Sequence, residues 1–362
     1  MNIEEGQVAD TGVSSQSASI FAAAERVRLR SPTMRAVDIA AEIGVSEGEL
    51  LAARVGHDAI RLGGDVVNLL SRMSVPGEVM ALTRNGSAVH EKVGRYDNID
   101  LTPPHGLVLN HDIDLRLFLS QWRSGFALRQ STDDGSIRRS LQFFDASGRA
   151  IHKIFARPAT DTGAWDQIVD EWRAPDQSRG LLVEPERAAT YDRPDSEIDV
   201  SGLRTAWSAM RDTHEFFGLL RAYQVGRLQA LRLIGAPYVR PARLDAAHSL
   251  LVAASASGLD IMCFVGNPGC IQIHTGPVHA IRVIGPWLNV LDPGFSLHLR
   301  NDHVVSAWVV LKPTNDGIVT SIELFDVQAR LIVQFFGARK PGVPELDDWR
   351  TLAGEQALKA AP

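Results

Sequence analysis

The stretch Ser140-Leu-Gln-Phe-Phe-Asp145 is matched by Ser321-Ile-Glu-Leu-Phe-Asp326, which lies 181 positions further along the chain. Upstream of each stretch, Asp134-Gly135 is matched by Asp316-Gly317 at an offset of 182. An offset that stays nearly constant over long separations predicts a tandem duplication, and a duplication decides the fold before any single element is assigned.

The duplication divides the chain into two predicted domains. We expect an N-terminal repeat over residues 20–185 and a C-terminal repeat over residues 200–350. Residues 173–201 are rich in Pro, Asp, Arg and Glu and lack apolar periodicity, which is typical of a linker.

Each half begins with the residue spacing of helices. In the first half, residues 35–53 carry apolar positions at helical spacing that break at Gly44, and Ser46 is the predicted N-cap of a second helix. In the second half, Asp212 and Glu215 have the spacing of a capping box before an apolar helical stripe.

The remainder of each half is punctuated by turn signals. Asn85-Gly86 is a strong hairpin signal, and Gly266-Asn267-Pro268-Gly269 lies at the equivalent place. Runs rich in Ile, Leu, Val and Phe, such as 321–325 and 330–336, predict the strands between turns. Because hairpins pair their strands antiparallel, the predicted fold class is α+β, with two similar halves that each combine a helical pair with a large antiparallel β-sheet.

Composition limits the class of protein. The 362 residues are 45% hydrophobic and 22% charged, which is typical of a globular protein with a sizeable core. The net charge of −6 argues against binding nucleic acid mainly through phosphates, because such proteins usually carry a basic excess. Only two cysteines, Cys263 and Cys270, occur, which excludes a disulfide framework. Without a secretion signal or an apolar run near ~18 residues, we expect a cytoplasmic protein that does not insert into membranes.

One segment resembles a DNA-reading motif. Residues 38–50 have the helix, glycine turn and second helix of a helix-turn-helix. The second helix offers Glu47 and Glu49 instead of cations, and these carboxylates repel a phosphate backbone. We therefore favour a structural helical hairpin and keep a DNA-binding regulator as the third functional hypothesis.

His214 is the most informative histidine. It lies in the first turn of a predicted helix, where the helix dipole disfavours imidazolium and leaves a nitrogen lone pair available. Phe216 and Phe217 follow it, and large aromatic side chains suit the wall of a flat apolar pocket. A neutral imidazole beside aromatic rings is what a five-coordinate heme iron requires on its proximal side. A capping or surface histidine is the alternative interpretation.

Five strings occur in a fixed order along the chain. They are Ala53-Arg-Val-Gly-His-Asp58, Leu115-Arg-Leu-Phe-Leu119, Asp212-Thr-His-Glu-Phe-Phe217, Phe264-Val-Gly-Asn267 with Gly269-Cys270, and Lys312-Pro-Thr-Asn-Asp-Gly317. Together they resemble the HemS/ChuS/HmuS family of bacterial cytoplasmic hemin-binding and hemin-degrading proteins. The resemblance runs from about residue 30 to about residue 350. It implies a duplicated architecture with a heme cleft between the two halves.

The resemblance also implies which residues bind heme. His214 would be the proximal iron ligand, while Arg116 and Phe118 would lie on the distal face and come from the other half. Arg116 is also the implied catalytic residue if the protein degrades heme. The other implied cofactor-binding residues are Arg227, Lys312, Gln334, Phe336 and Arg339.

Charge and polarity agree with this implied site. Heme propionates are anionic, so we expect Lys312, Arg227 and Arg339 to be cations at the mouth of an aromatic slot. Each of them alone is equally consistent with a solvated surface charge. Arg116 interrupts an apolar strand, where a buried charge requires a partner. Phe336 stands where the family often has Tyr, which removes a phenolic hydrogen bond.

Three further histidines are weaker candidates for iron binding. Arg116 and His298 occupy matching positions in the two halves, and we favour a hydrogen-bonded strand histidine over a second site at His298. His57 and His90 lie in motifs shared with the family's first half, and the same structural interpretation is favoured for both.

Two functions from different classes remain open. A heme carrier would accept imported hemin and deliver it for iron acquisition, whereas a heme-degrading, monooxygenase-like enzyme would open the porphyrin itself. The resemblance implies an inner-membrane heme importer and a downstream heme oxygenase or reductase as partners, and it leaves the oligomeric state, including a homodimer, undetermined. We favour binding and delivery, with degradation as the alternative.

Overall fold

The computed structural model describes residues 4–65, 67–132, 134–186, 193–340 and 342–358, with the backbone alone for residues 4–15. The helices of this part of the chain are α1 (Glu4–Arg30), α2 (Ala36–Ile43), α3 (Glu47–Ala52), α4 (Thr162–Glu171), α5 (Val200–Ser208), α6 (Glu215–Tyr223), α7 (Arg227–Ile234), α8 (Ala246–Ser257) and α9 (Asp347–Gly354). Not one of these described helices combines the length and the apolar character needed to cross a membrane.

The strands occur in two series. The first is β1 (Ala59–Leu62), β2 (Val79–Arg84), β3 (Ala88–Gly94), β4 (Ile99–Asp100), β5 (His105–Leu109), β6 (Asp114–Phe118), β7 (Ser124–Ser131), β8 (Ile137–Phe144) and β9 (Ala150–Ala156). The second is β10 (Val239–Ala242), β11 (Ile261–Asn267), β12 (Cys270–Gly276), β13 (Ile281–Ile284), β14 (Trp287–Asp292), β15 (Phe295–Arg300), β16 (Ser306–Thr314), β17 (Gly317–Phe325) and β18 (Leu331–Gly337).

The strands form two large antiparallel sheets, which confirms the predicted α+β class. The chain divides into two compact units. The described residues of unit 1 fall within 1–84, 91–187 and 267–272, and those of unit 2 fall within 85–90, 188–266 and 273–362. Each unit therefore contains a short segment of the opposite repeat. The boundaries 20–185 and 200–350 stay a prediction for the extent of the repeats.

Unit 1 has two groups of strands, ordered β1-β7-β8-β9-β2-β3 and β12-β6-β5-β4. Apolar side chains of these strands and of α4 form its main core, in which Leu141, Ile154 and Trp165 are buried. Helices α1–α3 form a separate cluster in which Ala24 of α1 and Leu50 of α3 are buried. A third helix thus joins the predicted helical pair.

Unit 2 has strand groups ordered β10-β16-β17-β18-β11-β12 and β3-β15-β14-β13. Its largest core includes Leu250 of α8 and Trp349 of α9. A second core is formed by α5–α7, where Leu203, Trp207 and Phe216 are buried. This second core repeats the three-helix arrangement of unit 1. It also supports α6, the helix that His214 precedes.

Two asparagine turns make the same hydrogen bonds in the two units. In unit 1, Asn267 donates from Nδ2 to the carbonyl oxygens of Arg84, at 2.9 Å, and of Ile151, at 2.8 Å. In unit 2, Asn85 donates from Nδ2 to the equivalent carbonyl oxygens, those of Gly266, at 3.1 Å, and of Ile332, at 2.8 Å. The duplication therefore extends to individual hydrogen bonds, with each turn supplied by the opposite repeat.

A neutral histidine lies in the core of unit 1. The Nδ1 atom of His152 is 2.8 Å from the hydroxyl of Thr83, and its Nε2 atom is 2.6 Å from the hydroxyl of Tyr96. The Cys270 thiol is 3.4 Å from the same Thr83 hydroxyl. Burial lowers the pKa of His152 to about 3. The folded state therefore holds this ring uncharged, with both nitrogens hydrogen-bonded.

We expect His152 to make stability dependent on acid. An unfolded histidine takes up a proton near pH 6.5, so the stabilisation is complete above that pH and is lost as pH falls towards 3. Between pH 7 and pH 4.5 the loss is about 2 to 3 kcal/mol. Urea unfolding of wild type and His152→Gln over this pH range measures the loss. The carboxylates give both proteins the same pH dependence, so the difference between the two proteins isolates His152. Equal pH slopes for the two proteins would contradict the expectation.

Candidate functional site

The apolar side of α6 packs into unit 2 and leaves the N-terminal end of the helix accessible. Phe216 and Leu219 are buried, and the rings of Phe216 and Trp207 meet edge to face at 5.7 Å. His214 immediately precedes the helix, whereas the sequence predicts it within the first turn, and its side chain is 93% exposed. Phe217 is also exposed. An accessible imidazole thus lies beside an accessible aromatic ring.

Asp212 holds the His214 ring. Its Oδ1 atom accepts a hydrogen bond from the backbone N–H of His214 at 2.8 Å and lies 2.6 Å from the ring Nδ1. The predicted capping box is absent, because Glu215 accepts from the backbone N–H of Arg211 instead. Asp212 therefore orients the ring and does not cap the helix.

The Asp212 contact determines which nitrogen of the ring is available. Hydrogen bonds from the His214 backbone and ring, with the charge of Arg339, hold the pKa of Asp212 below its usual value. An ionised carboxylate can only accept, so Nδ1 carries the proton and Nε2 keeps its lone pair in the neutral ring.

Three of the predicted heme-site residues meet at a buried carboxylate that sequence reasoning missed. Glu323 is fully buried on β17 and accepts two hydrogen bonds from Arg227, at 2.8 and 2.9 Å. It also accepts from Lys312 Nζ at 2.8 Å and from Gln334 Nε2 at 3.0 Å. The hydroxyl of Ser321 adds a bond at 3.1 Å. We call these five residues the Glu323 cluster.

The Glu323 cluster changes the expected role of two cations. Burial alone would raise the pKa of Glu323, but Arg227 and Lys312 outweigh burial and hold that pKa well below its usual range. Lys312 is itself buried, and burial lowers its pKa against the opposing pull of Glu323. Lys312 and Arg227 are therefore not solvated surface charges, because Glu323 largely compensates both cations inside the unit. Their place at the mouth of an aromatic slot stays a prediction.

The same two cations contact the helix that carries His214. The guanidinium carbon of Arg227 is 4.8 Å from the ring centroid of Phe216, and Lys312 Nζ is 4.9 Å from it. Cation–π contacts of this kind strengthen when they are shielded from water. Phe216 follows His214 by two residues, so the Glu323 cluster supports the first turn of α6.

The remaining predicted residues of unit 2 lie on one loop and one strand. Arg339 donates to Asp316 at 3.2 Å and is close enough to Asp212 to affect its pKa. Gln334 and Phe336 lie on the half-buried face of β18, and the Phe336 ring is 4.9 Å from the Phe264 ring. Arg339 thus lies near the His214 loop, while Gln334 belongs to the Glu323 cluster.

Arg116 and Phe118 belong to unit 1. They alternate with buried residues on β6, so both lie on the face opposite the core. Arg116 is half-exposed and donates to Asp114, so it is not the buried charge that the apolar string predicts. The Phe118 ring meets His105, its cross-strand neighbour, edge to face at 5.8 Å. His105 carried no sequence signal, because cross-strand pairing alone brings it to Phe118.

The helix-turn-helix segment has the predicted local structure. Gly44 ends α2 with a φ of 74°, and Ser46 forms a capping box with Glu49 at the start of α3. Glu47 is buried and bonds to Lys153 and Arg84, which together overcome burial and lower its pKa to about 2. Since most of α3 is buried, this helix has no free face to place in a DNA groove.

The two units place opposite charges at the first residue of matching helices. In unit 1 the helix supplies the carboxylate, Glu47, and the last strand of the meander supplies Lys153. In unit 2 the matching helix α7 supplies Arg227, and β17 supplies the carboxylate Glu323. Both arrangements compensate a buried charge between helix and sheet.

The other candidate histidines have protein neighbours. His57 stacks on Phe21 with ring centroids 4.2 Å apart. His90 is buried, 5.0 Å from the ring of Phe295. His298 Nδ1 lies 2.6 Å from Asn289 Oδ1, in agreement with a hydrogen-bonded strand histidine. Among the described residues, no group of three or more His, Cys, Asp or Glu side chains could hold a metal ion.

Comparison with known proteins gives one consistent picture. The model of the haemin-degrading HemS.ChuX domain matches the chain twice, over residues 44–172 and 224–355. The double match agrees with the tandem duplication. The hemin transport protein HmuS of Yersinia pestis is 40% identical over 334 residues, which cover 92% of this chain and 96% of the relative.

Two solved structures are similar over nearly their whole length. Holo-PhuS, a heme-binding protein from Pseudomonas aeruginosa, is 46% identical with a TM-score of 0.92, and the match covers 94% of this chain and 99% of PhuS. ChuS, an E. coli heme oxygenase, is 36% identical with a TM-score of 0.84, covering 93% and 99%. The relatives thus include a protein named for transport, one named for binding and one named for catalysis.

Proposed function

Because the chain belongs to the family of the haemin-degrading HemS/ChuX domain, we propose that it binds heme as cargo in hemin uptake and iron acquisition. His214 is the axial ligand in this proposal. The observation that carries it is the accessible Nε2 atom of His214, which Asp212 leaves unprotonated by accepting from Nδ1.

The residues of unit 2 fit such a ligand. A heme iron takes a neutral imidazole nitrogen as an axial ligand and, with electrons and oxygen, supplies the chemistry of porphyrin cleavage. His214 offers that nitrogen, and Phe217 offers an exposed aromatic surface beside it. Arg339 is close enough to Asp212 to affect its pKa and is assigned to a propionate.

The other predicted residues take two kinds of role. Gln334 and Phe336 share the half-buried face of β18 and are assigned to contact with the porphyrin. Arg227 and Lys312 act chiefly through the Glu323 cluster, which supports Phe216. Arg116 and Phe118 stay proposed for the distal side of the heme.

In cellular terms, the proposal makes the chain a carrier. It accepts hemin in the cytoplasm from an inner-membrane importer and delivers it to a downstream oxygenase or reductase. The partners and the compartment are those that the family resemblance implies. The proposal includes a homodimer as an oligomeric state of the carrier.

Hemin titration tests binding directly. We expect one equivalent of hemin to give a saturable Soret band, because each chain has one exposed histidine preceding a supported aromatic helix end. Size-exclusion chromatography should show the absorbance at the protein's elution position. A band that grows without saturation, as for non-specific hemin adsorption, would reject the proposal.

Heme degradation is the second candidate, favoured by the similarity to ChuS, which is called a heme oxygenase. In that case Arg116 is the proposed catalytic residue. The loaded protein is incubated with ascorbate or a reductase, with catalase present, and bile pigment and released iron are measured. Turnover above that of free hemin, lost in Arg116→Ala, supports the enzyme; turnover no greater than that of free hemin supports the carrier alone.

A further inference from the structure

We infer that Asp212 is a positioning residue, which fixes the ring of His214 so that Nε2 is the nitrogen presented to heme iron. The inference rests on the proposed function and deepens it, because it assigns a role to a residue that never touches the ligand. It also predicts that Asp212 sets how strongly His214 donates electrons to the iron.

The geometry gives Asp212 control of both the loop and the ring. One oxygen, Oδ1, receives the His214 backbone N–H at 2.8 Å and lies 2.6 Å from Nδ1. The first contact fixes where the residue enters α6, and the second fixes the rotation of its side chain. Two constraints from one atom leave the ring little freedom to turn Nδ1 outward.

The chemistry of the contact selects one tautomer. A carboxylate has no proton to donate at neutral pH, so a short contact to Nδ1 requires that Nδ1 donates. The proton-free atom is then Nε2, on the opposite edge of the ring. Metal-binding histidines that donate their second nitrogen to a carboxylate are more basic ligands and hold a fixed orientation.

The neighbouring carboxylate provides a contrast within the same turn. Glu215 lies beside His214 in sequence, but its carboxylate accepts from the Arg211 backbone N–H at 3.2 Å. Both side chains place negative charge near the helix start, and only Asp212 contacts the ring. A comparison of Asp212→Asn with Glu215→Gln therefore separates the contact from the loss of one negative charge.

The first measurement uses the protein without heme. Nitrogen chemical shifts of the His214 ring at pH 8 report which atom carries the proton. We expect the Nδ1–H form to dominate in wild type and in Glu215→Gln. In Asp212→Asn a measurable fraction should change to the Nε2–H form, because an amide can donate as well as accept. A wild-type ring that is mainly Nε2–H would overturn the inference.

The second measurement uses the hemin complex. Resonance Raman spectra of the reduced complex give the iron–histidine stretching frequency, and redox titration gives the midpoint potential. We expect Asp212→Asn to lower the iron–histidine stretching frequency and to raise the midpoint potential. Asp212→Glu keeps a carboxylate and should change both quantities less than Asp212→Asn does. Glu215→Gln should leave both unchanged. A chain that binds no hemin would reject the proposed function itself. Hemin bound through His214, with Asp212→Asn indistinguishable from Glu215→Gln, would reject only the role of Asp212.

Discussion

Hemin affinity is expected to fall at least about 100-fold when His214 is replaced by alanine. Loss of a partner that only supports a metal ligand commonly costs 10- to 100-fold, and loss of the ligand itself should cost no less. The side chain is 93% exposed, so its removal creates no cavity and should leave stability unchanged. The measurement is a hemin titration followed at the Soret band, with urea unfolding as the check on stability.

His111 provides a matched control for this substitution. Its side chain is 91% exposed, and its Nδ1 lies 3.0 Å from Asp112 Oδ1, so it has the same kind of exposed histidine–carboxylate contact. It lies in the turn between β5 and β6 and does not precede an aromatic helix end. We expect His111→Ala to bind hemin with wild-type affinity. Equal loss in both variants would show that hemin adsorbs to any exposed histidine.

Replacing Glu323 with glutamine should destabilise the protein by about 3 kcal/mol or more. The substitution leaves Arg227 and Lys312 side by side in a buried place without their compensating charge. Breaking a buried ion pair by removing one partner typically costs 3 to 5 kcal/mol. Urea unfolding measures the change in the free energy of unfolding.

Two further variants test the physical cause. Glu171→Gln breaks an exposed ion pair with Arg72, and pairs of that kind contribute less than about 1 kcal/mol. Lys312→Met, combined with Glu323→Gln, removes one excess positive charge, so the double variant should cost clearly less than the two single variants added. Strictly additive changes in the free energy of unfolding would contradict a charge-compensation role for Glu323. A Glu323→Gln variant that costs no more stability than Glu171→Gln would contradict it as well.

The duplication and the local helix signals are predictable from sequence because they depend on residues near one another or on a repeated order. Gly44 and Ser46 act within their own turn, so their roles as helix end and N-cap are confirmed. Helix α1 is harder to predict, because its buried positions Ile20, Ala24 and Val27 form only a narrow stripe. Its position depends on α2 and α3, which the local sequence does not specify.

The candidate site shows the same division between local and long-range information. His214 is recognisable from its own string, and Asp212 lies only two residues away. The capping-box interpretation assigned Asp212 to the backbone N–H of Glu215, whereas in the structure its Oδ1 accepts from the backbone N–H of His214 and contacts the His214 ring. Glu323 bonds to residues 96 positions before it and 11 positions before and after it. The Glu323 cluster therefore depends on the register between strands, which is defined only in the assembled sheet and cannot be read from the local sequence.

The exchanged asparagine turns bear on why the two repeats occur in one chain. Neither repeat contains its whole compact unit, because residues 85–90 and 267–272 each complete the unit of the other. Separate repeats would depend on diffusion and concentration to obtain the missing turn. Covalent fusion supplies the two turns in equal number and at high effective concentration. Assembly of the protein thereby becomes a first-order process that proceeds equally well when the protein is scarce.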